Sequence, residues 1–382
     1  MQLEITAEQT RFRQAVRDFA AVRVAPRAAA IDASDRFPHD LVSAAAPLGL
    51  LGVTLPPEYG GAGRDYVSYA LGVEAVAAAS ATLGAILVVN NSLVAEVIQR
   101  FGSAAQKDAW LARLAAGRAL GAFALSEARA GTDAARQETT ATADGERYVL
   151  RGSKVWVANG AAADVALVFA AVEPAGAAHG VSAFLVPLDR PGLTRSPTRD
   201  PLGMRGLGCV DLRLDDVTVE GSALLGAPGQ GFSVAKWALD GARIAIGAEA
   251  LGVGQAAFDE ALRQARSRET FGHPIGRYQA IQWPIADIAT ELDAARMLVL
   301  RAAAAKDVRE RVTLEASMAK LAASEAAERA ADRAMRILAS AGYRRGTTVE
   351  RLLRDARALE IVAGTSEAQR MIIAAQVAPE PR

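Results

Sequence analysis

The stretch Gly152-Ser-Lys-Val-Trp-Val-Ala-Asn-Gly160 separates two parts of the chain that have helical patterns. Its Asn-Gly pair is the strongest short signal for a β-hairpin turn, and the β-prone run Val165-Ala-Leu-Val-Phe169 follows it. Upstream, the turn-favouring pair Asp144-Gly145 lies between two further β-prone runs. These features predict a small antiparallel sheet domain over residues 121–228.

The segment before the sheet domain has the spacing of an amphipathic helix. Phe12, Val16 and Phe19 recur at offsets of four and three residues, which places their side chains on one helical face. We therefore expect residues 1–120 to form an N-terminal helical domain.

The segment after the sheet domain is also helical in pattern. Leu314, Met318 and Leu321 lie on one face of a long, alanine-rich helix. Gly342 follows this helix and is expected to end it as its C-cap. Residues 229–382 are therefore predicted to form a C-terminal helical domain. The absence of repeated βαβ patterns argues against a parallel-sheet nucleotide-binding fold.

Composition and charge limit the class of protein. The 382 residues are 51% hydrophobic and 23% charged, which is typical of a globular chain with a sizeable core. Lys and Arg total 43, as do Asp and Glu, so no positive excess indicates a nucleic-acid partner. The single Cys209 forbids an intrachain disulfide, and three scattered histidines lack metal-ligand spacing. Because the N-terminus has no apolar signal segment, we expect a cytoplasmic protein.

Two features have ordinary structural explanations. Residues 75–89 are apolar but too few to span a bilayer, so they predict a buried helix and no membrane span. Gly252-Val-Gly254-Gln-Ala-Ala257 matches a dinucleotide-binding string, yet a helical pattern precedes it where a strand is required. Small residues that allow close helix packing explain this string better.

Motifs for phosphate loops, zinc proteases and serine hydrolases are absent from the sequence, so redox chemistry here requires a bound cofactor.

Four longer segments carry the functional signal. They are Phe123-Ala-Leu-Ser-Glu-Ala-Arg-Ala-Gly-Thr-Asp133, residues 152–160, Leu239-Asp-Gly-Ala-Arg243 with Arg268-Glu-Thr-Phe-Gly-His-Pro-Ile275, and Arg354-Asp-Ala with Ala363-Gly-Thr-Ser-Glu367. With these segments the chain resembles the acyl-CoA dehydrogenase family of flavoproteins over essentially its whole length. The resemblance implies an α+β, mainly α fold: an N-terminal helical domain, a central β-barrel and a C-terminal four-helix bundle, usually assembled as a tetramer.

The resemblance also implies FAD as cofactor. The expected contacts are Phe123, Leu125, Ser126, Thr132, Trp156, Ala158, Arg268, Thr270, Gln279, Arg336, Ser340, Thr365 and Glu367. Among them Trp156 matches the tryptophan that packs beside the flavin, although a core aromatic is the alternative. Arg268 and Thr270 match residues that reach the FAD pyrophosphate of a neighbouring subunit, a role that suits a forked guanidinium. In a monomer, Arg268 would instead be a solvated helix-end arginine.

Three cofactor positions depart from the family pattern. Ala158 stands where a Thr or Ser hydroxyl commonly bonds the flavin. Arg336 and Ser340 stand where the family usually has a glutamine and a glycine against the ADP half of FAD. Arg336 therefore either reaches a phosphate or disrupts that part of the site.

The resemblance places the acyl thioester near four residues: Thr132, Asp240, Arg243 and Gly364. Asp240 and Arg243 lie three residues apart on a predicted helix, so an i,i+3 surface pair is the alternative. The sequence does not distinguish a CoA thioester from a carrier-protein thioester.

The carboxylate that removes the α-proton is missing from both positions that the family uses. Ala363 occupies the common position before Gly-Thr, and Ala242 occupies the second position, before the helix arginine. A general base contributes roughly 10²–10⁴-fold to a rate, so its loss is consequential. Asp240, Glu249 and Glu360 are weak replacement candidates.

Three functions therefore remain open. The first is FAD-dependent α,β-dehydrogenation of an acyl thioester with a base at another position. The second is a non-catalytic subunit of a heteromeric dehydrogenase, and the third is a flavin monooxygenase that needs no α-proton base. The expected partners are an acyl thioester, an electron-accepting flavoprotein or O₂, and three further subunits, either copies of this chain or a paralogue.

Overall fold

The computed structural model of the protein describes residues 5–173, 180–198 and 200–378. In this part of the chain the helices are α1 (Ala7–Phe19), α2 (Ala25–Ser34), α3 (His39–Ala45), α4 (Tyr66–Ala77), α5 (Ala81–Val88), α6 (Glu96–Phe101), α7 (Ala104–Ala115), α8 (Gly231–Ser267), α9 (Gln279–Val308), α10 (Thr313–Leu338), α11 (Thr348–Ile361) and α12 (Ser366–Val377). The strands are β1 (Gly121–Ala124), β2 (Thr140–Asp144), β3 (Arg147–Val157), β4 (Val165–Glu173), β5 (Val181–Pro187), β6 (Leu193–Pro197), β7 (Val210–Glu220), β8 (Leu224–Leu225), β9 (Glu269–Thr270) and β10 (His273–Pro274). Helices, then a sheet, then helices thus follow one another, as the sequence predicts. The exact domain limits stay predictions.

The N-terminal helices confirm the predicted apolar stripe. Phe12 and Val16 are buried, and the side chain of Thr6 caps α1 by accepting a hydrogen bond from the Gln9 N–H at 3.2 Å. The predicted single helix over residues 75–89 is wrong in one respect. Helix α4 ends at Ala77, and a new helix, α5, begins after its N-cap residue Ser80. The 21-residue segment Ala81–Phe101 is apolar enough to span a membrane, but its most apolar window is 94% buried inside the protein, as in a core helix.

The central sheet has the strand order β6-β7-β3-β2-β4-β5-β8, with β1 paired to β4. Asp144-Gly145 turns β2 into β3 as predicted, since these strands pair antiparallel up to Asp144 and Arg147. The expectation of a purely antiparallel sheet is wrong, because β1 and β2 each pair with β4 in parallel. The β2–β3 hairpin lies in the connection from β1 to β4, which gives the chain room to return and run in the same direction.

The predicted hairpin at Asn159-Gly160 is also wrong. β3 pairs with β2 and β7, whereas β4 pairs with β1, β2 and β5. Asn159 adopts the left-handed conformation with φ 62°. Its side-chain amide donates to the carbonyls of Ile86 and Gly121, both at 3.2 Å. The pair therefore fastens the sheet to α5, a tertiary contact that a local turn signal does not distinguish from a hairpin.

Close helix packing explains the Gly252 string, as the sequence analysis expects. A Cβ atom on Gly252 would lie 2.4 Å from the Glu74 carbonyl of α4, and one on Gly254 would lie 2.6 Å from the Leu292 side chain of α9. A side chain at Gly252 would require movement of the α4 backbone, and one at Gly254 would require the Leu292 side chain to shift.

Helix α10 differs from its sequence-based description in two ways. The predicted apolar face of Leu314, Met318 and Leu321 is only half-buried, and the buried face consists mainly of alanines such as Ala316, Ala319 and Ala323. The helix ends at Leu338, where Ala339 has φ 51°, so Gly342 is not the C-cap. Small side chains occupy the buried face of α10 because this helix packs closely along α8.

Candidate active site

The loop after β1 lies against the end of β3. The Val155 N–H donates to the Ser126 carbonyl at 2.9 Å, and Lys154 Nζ donates to the Leu125 carbonyl at 3.3 Å. The structure therefore brings two of the predicted FAD-binding segments together, with Leu125 and Ser126 next to the backbone of Trp156.

A buried ion pair stabilises the contact between the loop after β1 and the end of β3. Lys154 Nζ lies 2.6 Å from Glu127 Oε1, and the carboxylate also accepts the N–H groups of Glu138 at 2.6 Å and Thr139 at 3.0 Å. Burial lowers the pKa of Lys154 to about 8, against the opposing effect of Glu127. Burial also raises the pKa of Glu127, but hydrogen bonds from Lys154 and Thr139 outweigh it and hold that pKa below its usual range. Sequence reasoning missed this pair, because the 26 residues between the two side chains give no signal of their contact.

Trp156 sits on an irregular part of β3. The register of β3 with β7 shifts between Lys154 and Val157, and Trp156 has φ 56°. Such a bulge redirects side chains, and here it leaves the indole 60% exposed. An exposed flat aromatic face fits a planar ring such as a flavin. Ala158 is half-buried and offers only a methyl group in place of the family hydroxyl.

The first turns of α8 carry a buried polar cluster. Arg243 Nη1 lies 3.4 Å from Asp240 Oδ1, and the Thr313 hydroxyl donates to Asp240 Oδ2 at 2.7 Å. The Asp240 and Arg243 side chains are only 5% and 9% exposed, so the surface-pair alternative is wrong. Burial raises the pKa of Asp240, partly offset by the hydrogen bond from Thr313 and the charge of Arg243.

The same arginine reaches the loop that begins at Ala363. Arg243 Nε donates to the Ala363 carbonyl at 3.3 Å, and Gln369 Nε2 donates to it at 3.2 Å. Ala363 and Gly364 have φ values of 54° and 101°, a left-handed turn that Gly364 adopts without steric cost. Thr365 then caps α12 by accepting the Ala368 N–H at 3.3 Å.

Lys320 completes this loop, and the sequence analysis missed it. Its Nζ, fully buried on α10, donates to the carbonyls of Glu360 at 2.9 Å and Gly364 at 3.0 Å. Burial lowers the pKa of Lys320 to about 8. The only sequence signal is a lysine beside the alanine face of α10. With these carbonyls bound, the N–H groups of Ala363 and Gly364 donate no hydrogen bond within the described residues.

None of the weak base candidates is placed like the missing carboxylate. Asp240 is bound to Thr313 and Arg243. Glu360 forms an ion pair with Arg357, and burial raises its pKa. Glu249 is buried on α8, two helical turns beyond Ala242. The two customary positions therefore present only methyl groups.

Most of the predicted contacts with the pyrophosphate and ADP parts of FAD lie at the surface of this chain. Arg268, Gln279, Arg336 and Ser340 are exposed, while Thr270 is half-buried and its carbonyl accepts the Tyr278 hydroxyl at 2.7 Å. Arg336 pairs with Asp332 at 3.1 Å. Within the inner set, Phe123 is half-buried on β1, whereas Thr132 and Glu367 are exposed.

Comparison with known proteins gives the class. Family models described as acyl-CoA dehydrogenase N-terminal, middle and C-terminal domains match residues 6–118, 122–217 and 229–378. The chain therefore belongs to the acyl-CoA dehydrogenase family and is an oxidoreductase of the kind that acts on CH–CH groups. Membership of this family implies FAD.

Individual relatives cover nearly the whole chain. The mitochondrial short-chain specific acyl-CoA dehydrogenase of Bos taurus is 43% identical over 97% of this chain and 90% of its own length. The structure of butyryl-CoA dehydrogenase from Megasphaera elsdenii matches with a TM-score of 0.95 and 36% identity, over 98% of this chain and 99% of that chain. A glutaryl-CoA dehydrogenase from Mycobacterium smegmatis in complex with FADH2 matches with a TM-score of 0.93 and 31% identity, over 98% and 95%.

Proposed function

We propose that the protein is an FAD-dependent dehydrogenase that forms an α,β double bond in an acyl thioester. The observation that carries this proposal is the loop at Ala363 and Gly364, whose carbonyls are bound by Arg243, Lys320 and Gln369 while its N–H groups are left without a partner in the described part of the chain. Free, oriented N–H groups are what a polarised thioester carbonyl requires.

The remaining residues have distinct tasks in this proposal. FAD, when bound, supplies the acceptor for the β-hydrogen. The exposed indole of Trp156 gives one wall for its ring, and the segment at Leu125 and Ser126 gives the adjoining edge. Arg243 joins the helix next to the thioester to the loop that polarises it. The α-proton leaves to a group other than residue 363 or residue 242, because both are alanines.

Restoring the carboxylate tests the proposal. In FAD-loaded protein, Ala363→Glu is expected to bleach the flavin with butyryl-CoA faster than wild type, because a carboxylate at the loop is better placed than the group that wild type uses; the full contribution of a general base, roughly 10²–10⁴-fold, is the upper limit of the gain. Ala363→Gln is the matched control, since it has the same size and no basic carboxylate, and it should remain at the rate of the wild type.

Two results would contradict the proposal. One is an Ala363→Glu protein that binds FAD and thioester yet bleaches no faster than Ala363→Gln. The other is a wild type that never bleaches with any thioester in a panel of chain lengths, presented on CoA or on a carrier protein.

A second candidate function is a subunit that completes the site of a paralogue. The observation in its favour is the surface position of Arg268 and Gln279 together with the two alanine base positions. Co-expression with a paralogue that has the loop glutamate should then give a mixed tetramer with higher activity than the paralogue alone. Unchanged activity and separate elution of the two chains would exclude it.

The remaining expectations belong to the same proposal. We propose a tetramer, built from this chain alone or with a paralogue, that works in the cytoplasm and passes electrons to a flavoprotein or to O₂. The monooxygenase alternative stays a prediction.

A further inference from the structure

One buried acid has no task in the chemistry described so far. Glu249 lies in the middle of α8 and is 1% exposed. Its Oε1 atom is enclosed and has no hydrogen-bond partner in the described part of the protein. An unsatisfied buried polar group costs about 1–3 kcal/mol, so Glu249 has room for a partner that the described residues do not supply.

The position of Glu249 connects it to the substrate. Helix α8 begins beside a surface cavity of about 160 Å³, where Trp237 is one of the lining residues, and runs inward past Asp240 and Ala242. Glu249 follows Ala242 by seven residues, which is two turns and a rise of about 10.5 Å on the same side of the helix. It therefore lies farther along α8 than Ala242 and, like Ala242, is fully buried.

Two small residues, Gly84 and Ala77, pack beside the part of α8 that carries Glu249. A Cβ on Gly84 of α5 would lie 3.3 Å from Glu249 Cγ and 3.1 Å from the methyl group of Ala77 on α4. The stem of Glu249 on α8 therefore packs against α5 at Gly84, and Gly84 in turn packs against Ala77 of α4. The distance to Ala242 is longer than a glutamate side chain can bridge, so Glu249 does not replace the missing base.

The unpartnered Oε1 atom of Glu249 decides which chain ends it can bind, because this oxygen can accept a hydrogen bond from a donor. Burial raises its pKa well above the usual range, and Asp355 adds to this effect. A protonated carboxyl both donates and accepts a hydrogen bond. A plain hydrocarbon chain would leave both capacities unused, and a second carboxylate would face Glu249 and Asp355 in a site with little solvent.

We infer that Glu249 is a specificity residue that selects acyl thioesters whose chain ends in a hydrogen-bond donor, a hydroxyl or an amine, over those with a plain hydrocarbon chain. This inference rests on the proposed function, because it takes the acyl chain to run inward along α8 from Ala242.

Binding can be measured separately from chemistry. The ligands are four unreactive CoA thioethers, S-butyl-CoA, S-(4-hydroxybutyl)-CoA, S-(4-aminobutyl)-CoA and S-(3-carboxypropyl)-CoA, together with their hexyl homologues. They are titrated into the FAD-loaded protein by calorimetry. Wild type is expected to bind the hydroxyl and amino chains about tenfold more tightly than the plain chain, the ratio given by one good hydrogen bond. It should bind the carboxylate chain most weakly.

Two variants and a control identify the residue responsible. Glu249→Leu should reverse the preference in favour of the plain chain. Glu249→Gln should keep the hydroxyl preference, because its amide oxygen still accepts a hydrogen bond, and should weaken the amine preference, because an amide cannot ionise to pair with a cationic amine. Glu260→Gln, on the same helix and paired with Arg263 in the native protein, should leave every ratio unchanged.

The outcomes separate this inference from the proposed function. Equal ratios in wild type and Glu249→Leu overturn the inference even if thioesters bleach the flavin. The expected ratios without any bleaching by the corresponding thioesters support the inference and overturn the proposed dehydrogenation. Binding of none of the chains by the FAD-loaded protein overturns both.

Discussion

Two buried glutamates, one in the loop after β1 and one on helix α8, have very different surroundings. Glu127 has Lys154 at 2.6 Å and two backbone N–H groups on its carboxylate. Glu249 has an enclosed oxygen without a partner in the described residues. The first pattern is that of a structural cross-link, since its hydrogen-bonding capacity is used within the fold. The second leaves capacity for a ligand.

The pKa values of the two acids move in opposite directions although both acids are buried. Burial disfavours the charged form of both, but only Glu127 has hydrogen bonds from a cation and from the backbone that reverse the effect. Burial therefore favours the neutral form of Glu249, whereas the hydrogen bonds favour the carboxylate form of Glu127. Substitutions at each glutamate or at its partner test this difference.

The largest expected effect comes from separating the pair in the sheet. Lys154→Met should lower the free energy of unfolding by about 3–5 kcal/mol, because it leaves Glu127 buried without its cation. Chemical denaturation followed by circular dichroism measures this. Arg147→Met, which removes the exposed Arg147–Glu220 pair, is the control and should cost no more than about 1 kcal/mol. Similar losses in the two variants would mean that the buried pair does not stabilise the contact between the loop after β1 and the end of β3.

In the helical bundle, removal of the buried acid is expected to change the free energy of unfolding in the opposite direction. Glu249→Leu should leave the free energy of unfolding unchanged or raise it by about 1–3 kcal/mol, since it removes an unsatisfied polar group from the core. The same denaturation experiment applies, in the absence of thioester. A clear loss of stability would show that Glu249 has an internal partner, and the contrast with Glu127 would disappear.

The two acids also differ in how each makes the free energy of unfolding depend on pH. The raised pKa of folded Glu249 means that its folded state keeps a proton that the unfolded chain releases above about pH 4.3. Wild type should therefore lose stability relative to Glu249→Gln as the pH rises from that value, by at most about 1.4 kcal/mol per unit. Glu127 has a lowered pKa, so its contribution is present above its usual pKa and is lost as the pH falls through the folded value. Parallel pH curves for Glu249→Gln and wild type would contradict the raised pKa.

The smallest effect is expected at the surface. Arg336 pairs with Asp332 where it is 78% exposed, so Arg336→Gln should change the free energy of unfolding by less than about 0.5 kcal/mol. FAD affinity is the more informative measurement, because Gln is the usual family residue at this position. Tighter FAD binding by Arg336→Gln would indicate that the arginine disturbs the cofactor site, and weaker binding would indicate that it reaches a phosphate.

Local signals in the sequence were reliable where the contacts they depend on are also local. Asp144-Gly145 forms its turn because its two strands are neighbours in the sheet. Asn159-Gly160 has an even stronger turn signal, yet the strands on either side pair elsewhere and Asn159 binds the carbonyl of Ile86 on α5. The prediction of the buried face of α10 was wrong for a related reason. The close approach of α8 favours alanine over leucine on that face.

The same division applies to the site. The absence of a carboxylate at residues 363 and 242 is visible in the sequence, because it depends only on residue identity within recognisable segments. The contact of Lys154 with Glu127 and the binding of loop carbonyls by Lys320 join residues that are far apart in the chain. No spacing rule predicts such contacts.

By itself the sequence determined the order of helical, strand and helical segments, the family, and the loss of both customary bases. These follow from periodicity and residue identity, which a linear chain carries in full. Only the tertiary structure decided which buried charges are satisfied and which are not, because hydrogen-bond partners come from whatever elements the fold places within about 3 Å. Glu127 and Glu249 are the same amino acid, and their surroundings alone make one a structural cross-link and leave an oxygen of the other without a partner in the described residues.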